Sequence, residues 1–369
     1  MAQKDADSDS FIGVPGRYWR RLEDGRLQCD LCPRYCRLRE GQRGLCYVRG
    51  RSGDGIVLTT YGRSSGFCID PVEKKPLYHF LPGSPVLSFG TAGCNLACTF
   101  CQNWDISKAR SDDRLQEAAS PEAIADAAVR HGCRSVAFTY NDPLIFLEYA
   151  VDTAVACRER GIRTVAVSAA YVCEEPRKEF FSNMDAVNID LKAFGEDFYR
   201  KLCGGHLEPV LETLEYIANE TSTWLEITNL VIPGENDSDD EFDRMTQWIV
   251  ERLGRHVPLH FSAFHPAWKL ADRPRTPRAT LRRAREIALA NGLDHAYTGN
   301  VVDRESSATH CPSCGETVVE RNGYELGRWN LSVEGESASC NHCGATVAGV
   351  YSARPGGWGA RYQPVYMEN

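Results

Sequence analysis

No apolar run in this 369-residue chain is long enough to cross a bilayer, so neither a membrane-spanning helix nor a membrane partner is expected. The first ten residues, MAQKDADSDS, are polar and acidic instead of basic and then apolar, which argues against a secretory signal. Positive charge is short as well. The 42 Lys and Arg residues stand against 50 Asp and Glu, and a net charge of −8 repels phosphate backbones, so no nucleic-acid partner is expected. With 43% hydrophobic and 25% charged residues, the remainder is ordinary for a globular protein able to bury a sizeable core in one large domain with additions.

Cysteine, by contrast, is abundant at sixteen residues. Tight clustering without a signal peptide points to a reduced, cytoplasmic metal protein and not to a disulfide framework. Five thiols lie outside the clusters, namely Cys68, Cys133, Cys157, Cys173 and Cys203, and these are expected to act as small buried hydrophobes.

The central cluster follows an apolar run at 86–89 that reads as a buried strand. It is GCNLACTFCQNW at 93–104, with Cys94, Cys98 and Cys101 in a CxxxCxxC loop. Iron–sulfur clusters take soft thiolate ligands, and a loop of this spacing wraps three corners of a cubane while leaving the fourth iron open. A structural zinc site would close its tetrahedron with four protein ligands.

The other two clusters flank it. Residues 27–49, LQCDLCPRYCRLREGQRGLCYVR, place Cys29, Cys32, Cys36 and Cys46 in a short segment punctuated by Gly and Arg. Four thiols so close would otherwise be an oxidation liability, so a metal is expected; the spacing matches no common zinc ribbon and leaves zinc and iron both open. Residues 310–350 carry two CxxCG knuckles about a hairpin apart, with Cys311, Cys314, Cys340 and Cys343 as a zinc-ribbon or rubredoxin-like set for one zinc or iron. Glu316, Glu320, Glu325, Glu334 and Glu336 leave no basic stripe there, which favours a scaffold or protein-docking role. The Gly- and aromatic-rich end of the chain is read either as packing over a neighbouring surface or as a loose tail.

Between the flanking clusters, strand and helix patterns alternate. Strands are predicted at 86–89, 135–140, 164–168, 186–191, 224–232 and 259–264, with a further candidate at 295–298. Helices are predicted at 121–131, 143–160, 174–184, 209–220, 239–252 and 278–290. Ser120-Pro121 and Thr276-Pro277 read as helix caps, and Ser238 with Glu241 as a capping box. Six or so β/α units predict an α/β fold, a partial (β/α)6 TIM-like barrel, with a small cysteine-rich N-terminal module and a C-terminal zinc-ribbon-like module. The expected boundaries are 1–83, 84–300 and 301–369, with residues 1–12 as a disordered tail. In the run DPVEKKPLYHFLPGS at 70–84, Lys74 and Lys75 read as solvated and His79 as packed.

Barrel chemistry collects at the C-terminal ends of the strands, where this sequence places Thr139 to Asp142, Ser168, Asp190, Lys192, Thr228 and His260. Asp190 and Lys192, two apart, share a face and can meet a zwitterionic ligand with opposite charges.

The ordered set GCNLACTFCQNWDIS, TYNDP, NIDLKAF, LEITNLVIPGENDS and PLHFSAFHP with YTGN resembles the radical S-adenosylmethionine (SAM) enzymes related to the pyruvate formate-lyase activating enzyme. With DPVEKKPLYHFLPGS before the cysteines and a cysteine-paired tail, the chain resembles more closely the AmmeMemoRadiSam branch, whose members are named for AMMECR-type and Memo-type companion proteins. The resemblance spans about residues 27–350.

It implies a [4Fe-4S] cluster on Cys94, Cys98 and Cys101, SAM chelating the fourth iron, an electron donor such as ferredoxin or flavodoxin, and a 5'-deoxyadenosyl radical that abstracts hydrogen from a substrate. By position, Asp142 matches the acidic residue holding the SAM amino group, and Ser168 lies beside the same site. Asp190 and Lys192 match ribose or carboxylate contacts, Phe100 packs near the adenine, and His260 lines the site. Two positions depart from the branch: Asp142 stands where glutamate is usual, and Ala169-Ala170 where Asn-Gly is usual. Alternative readings are a glycyl-radical activating enzyme acting on a partner protein, and a non-catalytic metal-binding adaptor with a degenerate SAM site.

Overall fold

Nine strands form the central sheet of the computed structural model, which describes residues 11–109, 115 and 117–367. They are β1 (Phe67–Pro71), β2 (Pro85–Phe89), β3 (Ser135–Phe138), β4 (Arg163–Ser168), β5 (Ala186–Asp190), β6 (Trp224–Val231), β7 (Leu259–Ala263), β8 (Ala296–Gly299) and β9 (Gln363–Val365). Their spatial order is β8-β7-β6-β5-β4-β3-β2-β1-β9. From β2 to β8 every pairing is parallel, whereas β1 and β9 join antiparallel at one edge. The candidate strand at 295–298 is real and becomes β8, a seventh parallel strand after the six β/α units. Among the described residues β8 does not pair with β9, so the curved sheet stays open.

The parallel strands are apolar because both faces are covered; Ser135–Phe138 is buried along its whole length. The helices α1 (Pro121–Arg130), α2 (Leu147–Glu159), α3 (Glu174–Phe181), α4 (Glu208–Glu220), α5 (Asp239–Arg252) and α6 (Arg278–Ala290) supply one of those layers. In α5, Phe242, Met245 and Ile249 recur at helical spacing and are fully buried. The Ser120 hydroxyl accepts from the Ala123 N–H with proline at the first helical position, as read from the sequence.

Local readings fail where a tertiary partner competes. The stretch 143–160 divides into a 3-10 turn, Pro143–Phe146, and then α2. Ser238 caps α5, but Glu241 does not complete a capping box, because its carboxylate accepts from the Phe194 N–H instead. Thr276 is no cap. Its hydroxyl donates to the Val231 carbonyl at 2.6 Å and accepts from the Phe264 N–H at 2.8 Å, tying β6 to the segment after β7. Lys75 is buried, not solvated, and its ammonium lies 2.9 Å from Asp70.

The N-terminal cysteine module is made of two small three-stranded sheets. Arg49, 1% exposed, locks it to the helical layer: both terminal nitrogens donate to Glu148 on α2, at 2.6 and 2.8 Å. The disordered-tail reading of 1–12 falls mostly outside the described residues, although Phe11 is in place, with the Arg43 guanidinium 4.2 Å from its ring centre.

At the other end, a buried chain of hydrogen bonds joins the C-terminal module to the floor of the sheet. Arg321 donates to Thr309, whose hydroxyl meets Tyr297, which meets His79 Nε2 at 2.6 Å; His79 Nδ1 lies 2.7 Å from the Ala348 carbonyl. The last described segment folds back to add β9 to the sheet edge, which decides for packing between the two readings of that tail. Among the described residues, no helix is long and apolar enough to cross a membrane.

Candidate functional site

One cavity of about 260 Å³ opens at the C-terminal ends of the parallel strands. Cys94, Cys98 and Cys101 line it, together with Phe100, Asp142, Asp190 and Lys192. The lining follows strand alternation: 167 and 169, 190 and 192, and 228 and 230 face the cavity, and the residues between them face the shell.

The cysteine loop is pinned from behind. Asn141 accepts from the Thr91 N–H and donates to the Ala92 and Gly93 carbonyls, while Asn95 donates to the Tyr171 carbonyl at 2.8 Å. Cys98 and Cys203 form a hydrogen bond that lowers the pKa of the Cys98 thiol. Burial, with Asp142 nearby, pushes Cys94 up to about 12. The three thiols do not gather within 4.8 Å of one another, as ligands of a single ion would. Three separated thiols on one open cavity fit a cubane with a free corner better than a single ion.

Asp142 is buried and well supplied with donors. Its Oδ1 accepts from Ser168 Oγ at 2.9 Å and from the Leu144 N–H at 3.2 Å, and its Oδ2 accepts from the Ala169 N–H at 3.1 Å. A carboxylate has about four acceptor sites, so about one remains, on Oδ2. Burial raises the Asp142 pKa in spite of those donors. Lys192 lies 3.0 Å from Asp190. Burial works against its ammonium, but Asp190, Cys98 and Cys203 together hold its pKa well above the ordinary value. Phe100 is buried on the cavity wall against Phe198, with ring centres 5.6 Å apart.

Two predicted site residues do not reach the cavity. Ser168 faces the shell because its strand neighbours Val167 and Ala169 take the cavity side; its hydroxyl supports Asp142 from behind. His260 is turned toward the sheet floor, 2.7 Å from Glu226 Oε2 and stacked on Tyr297. The fully buried Glu226 carboxylate, which also accepts from the N–H groups of Tyr78 and His79, draws it there.

Sequence reasoning missed Lys108, which lines the cavity and donates to the Leu96 carbonyl, and Cys203. A basic residue soon after the cysteine loop was a signal for Lys108. Nothing local marked Cys203, which only the fold brings beside Cys98. Cys133 and Cys157 are, as expected, buried thiols, each pushed up to about 12 by burial.

In the C-terminal module all four cysteine sulfurs lie within 4.8 Å of one another, with Cys311 3.6 Å from Cys343 and Cys314 3.8 Å from Cys340. Each knuckle turns on a glycine with positive φ, Gly315 at 74° and Gly344 at 76°, whose N–H donates to the carbonyl of the first cysteine. A tetrahedral ion with metal–sulfur bonds of about 2.3 Å holds its sulfurs about 3.8 Å apart, so this set can hold one metal ion.

An uncharacterized protein of Methanocaldococcus jannaschii, MJ0808, is 40% identical over 330 residues, 89% of this chain and 97% of its own. Pyruvate formate-lyase 1-activating enzyme of Escherichia coli K12 is 24% identical over 197 residues, covering 51% of this chain and 77% of that one. Among solved structures, a domain of the Bacteroides vulgatus pyruvate-formate lyase-activating enzyme aligns with a TM-score of 0.40 at 20% identity, over 45% of this chain and 99% of that domain. Residues 89–246 match the Radical SAM superfamily. With that match and a full-length relative at this identity, the chain belongs to the Radical SAM superfamily, which implies a [4Fe-4S] cluster and SAM.

Proposed function

We propose that the chain is a SAM-cleaving enzyme whose cluster is held by Cys94, Cys98 and Cys101. One observation carries this reading: the three thiols, Asp142 and the Asp190–Lys192 pair converge on a single cavity at the strand ends. When bound, the cluster and SAM supply reductive C5'–S cleavage and a 5'-deoxyadenosyl radical that takes hydrogen from a substrate.

The chain's own residues do the positioning. Asp142 Oδ2 has the acceptor site left for the SAM amino group. Lys192, kept charged by its neighbours, meets the carboxylate, and Asp190 takes a ribose hydroxyl. Phe100 gives the adenine an apolar wall. Ser168 is a positioning residue that acts through Asp142, and His260 is left out of the SAM contacts. The shortening from glutamate to Asp142 is offset by the three donors that fix the carboxylate at the cavity wall.

The electron comes from a donor of the ferredoxin or flavodoxin class. Similarity to activating enzymes supports a partner protein as one substrate class, and the AMMECR-type and Memo-type companions named by the resemblance are the first to try. The C-terminal four-cysteine set holds zinc as a scaffold for docking.

Anaerobic reconstitution with iron and sulfide, reduction in the presence of SAM and quantification of 5'-deoxyadenosine test the reading. Production above a Cys98→Ala control is the expected result. A reconstituted cluster that never cleaves SAM would overturn it in favour of the adaptor.

A further inference from the structure

Cys29, Cys32, Cys36 and Cys46 surround one small enclosed cavity, separate from the cavity at the strand ends. Three of the four are less than 9% exposed, and all are free thiols. Two backbone bonds set their turns: the Cys29 N–H donates to the Cys36 carbonyl at 2.9 Å, and the Tyr35 N–H to the Cys32 carbonyl at 3.1 Å. Leu31, Leu38 and Ile145 make the rest of the wall largely apolar.

The spacing of the thiols identifies the kind of ligand. Among the described residues only the C-terminal set brings three or more ligand atoms within 4.8 Å of one another. No three of the N-terminal thiols do so, although all four face the same space. A single tetrahedral ion pulls its sulfurs to about 3.8 Å, whereas a cluster several atoms across stands between thiolates that are further apart.

The charges around the cavity fit an anionic occupant. Arg49 lines it, fully buried, and its Nε has no hydrogen-bond partner; Arg34 also lines it, and its Nη2 is likewise buried and without a partner. The Leu45 N–H points at Cys36 Sγ from 3.5 Å, a donor of the kind that surrounds cluster sulfurs. Zinc held by four thiolates is an anion too, but it would leave the wide spacing unexplained.

The module also abuts the CxxxCxxC loop. A Cβ added to Gly93 would stand 1.9 Å from the Cys46 carbonyl oxygen. Arg34 Nε donates to the Asn95 carbonyl at 2.8 Å, and Asn95 lines the N-terminal cavity while its neighbour Cys94 lines the other. From these observations we infer that Cys29, Cys32, Cys36 and Cys46 hold a second iron–sulfur cluster of the [4Fe-4S] class, directly behind the loop of Cys94. This site stands whether or not the chain cleaves SAM.

The test is metal and sulfide analysis of the full chain, reconstituted anaerobically, with electron-spin and Mössbauer spectra of the dithionite-reduced protein. Wild type is expected to bind about eight irons and eight sulfides, and a Cys94→Ala, Cys98→Ala, Cys101→Ala variant to keep about four of each. Adding Cys32→Ala and Cys36→Ala, which leaves only two of the four thiols, removes that remainder while the metal of the Cys311 set stays, which shows that the chain is still folded. If the triple variant is insoluble, wild type against the Cys32→Ala, Cys36→Ala variant reads the same loss of about four irons. Zinc at two ions per chain, or no iron and sulfide beyond one cluster in folded wild type, overturns the inference.

Discussion

The Ser168 hydroxyl stands behind Asp142 and donates to its Oδ1 at 2.9 Å, on the side away from the cavity. Removing it takes one of three donors from a buried carboxylate whose pKa burial already raises. Ser168→Ala should therefore raise the SAM concentration for half-maximal 5'-deoxyadenosine formation about five- to tenfold, the equivalent of about 1 kcal/mol, with little change at saturation. Ser168→Thr should recover most of the loss. An unchanged half-saturation would show that Asp142 does not hold SAM.

Ala170 occupies the left-handed region at φ 54°, a conformation that suits the glycine usual in the branch. Ala170→Gly relieves about 1–2 kcal/mol of backbone strain and loses a similar amount in the buried methyl and in unfolded-chain freedom. Its denaturation midpoint should stay near that of the wild type. Ala170→Val, β-branched at the same φ, should cost about 2 kcal/mol or more. Equal midpoints for the valine and glycine variants would rule out this strain.

His79 and His295 should make the protein acid-sensitive. Burial lowers both pKa values, His295 to about 3 with Arg321 and His310 adding to the effect, and His79 well below its usual value with His295 beside it. In the unfolded chain each protonates near pH 6.5, so stability is full above that pH and is lost as pH falls from about 6.5 toward about 3, at about 1.4 kcal/mol per pH unit for each histidine. Unfolding free energies measured across that window should show the slope, and His295→Gln should remove roughly half of it. A flat profile between pH 6.5 and 4.5 would contradict the buried neutral state.

Glu148 carries the junction between the N-terminal module and α2. Glu148→Ala leaves the Arg49 guanidinium buried without its counter-charge and should destabilise the protein by about 3–5 kcal/mol. Hydrogen exchange should locate the loosening in residues 27–58. A melting temperature within error of wild type would show that water reaches Arg49 and solvates it.

The positions that face the strand-end cavity were legible because strand alternation is a local rule. Once β5 is a strand, Asp190 and Lys192 must share a face, and they do. The same rule applied to Ser168 turns it away from the cavity, since Val167 and Ala169 occupy the cavity side. The caps show the opposite limit: Ser238 acts as read, but Glu241 and Thr276 bond to Phe194 and Val231, partners remote in the chain, and no local pattern announces such competition.

By itself the sequence determined the CxxxCxxC loop, the C-terminal knuckles and the run of β/α units, because each depends on spacings of a few residues along one segment. Only the tertiary structure decided that the sheet stays open, that His260 goes to Glu226, that Cys203 meets Cys98, and that the N-terminal thiols ring a cavity behind Cys94. Those outcomes rest on which buried charge or donor is nearest once separate segments pack, and the packing of the whole core sets those distances.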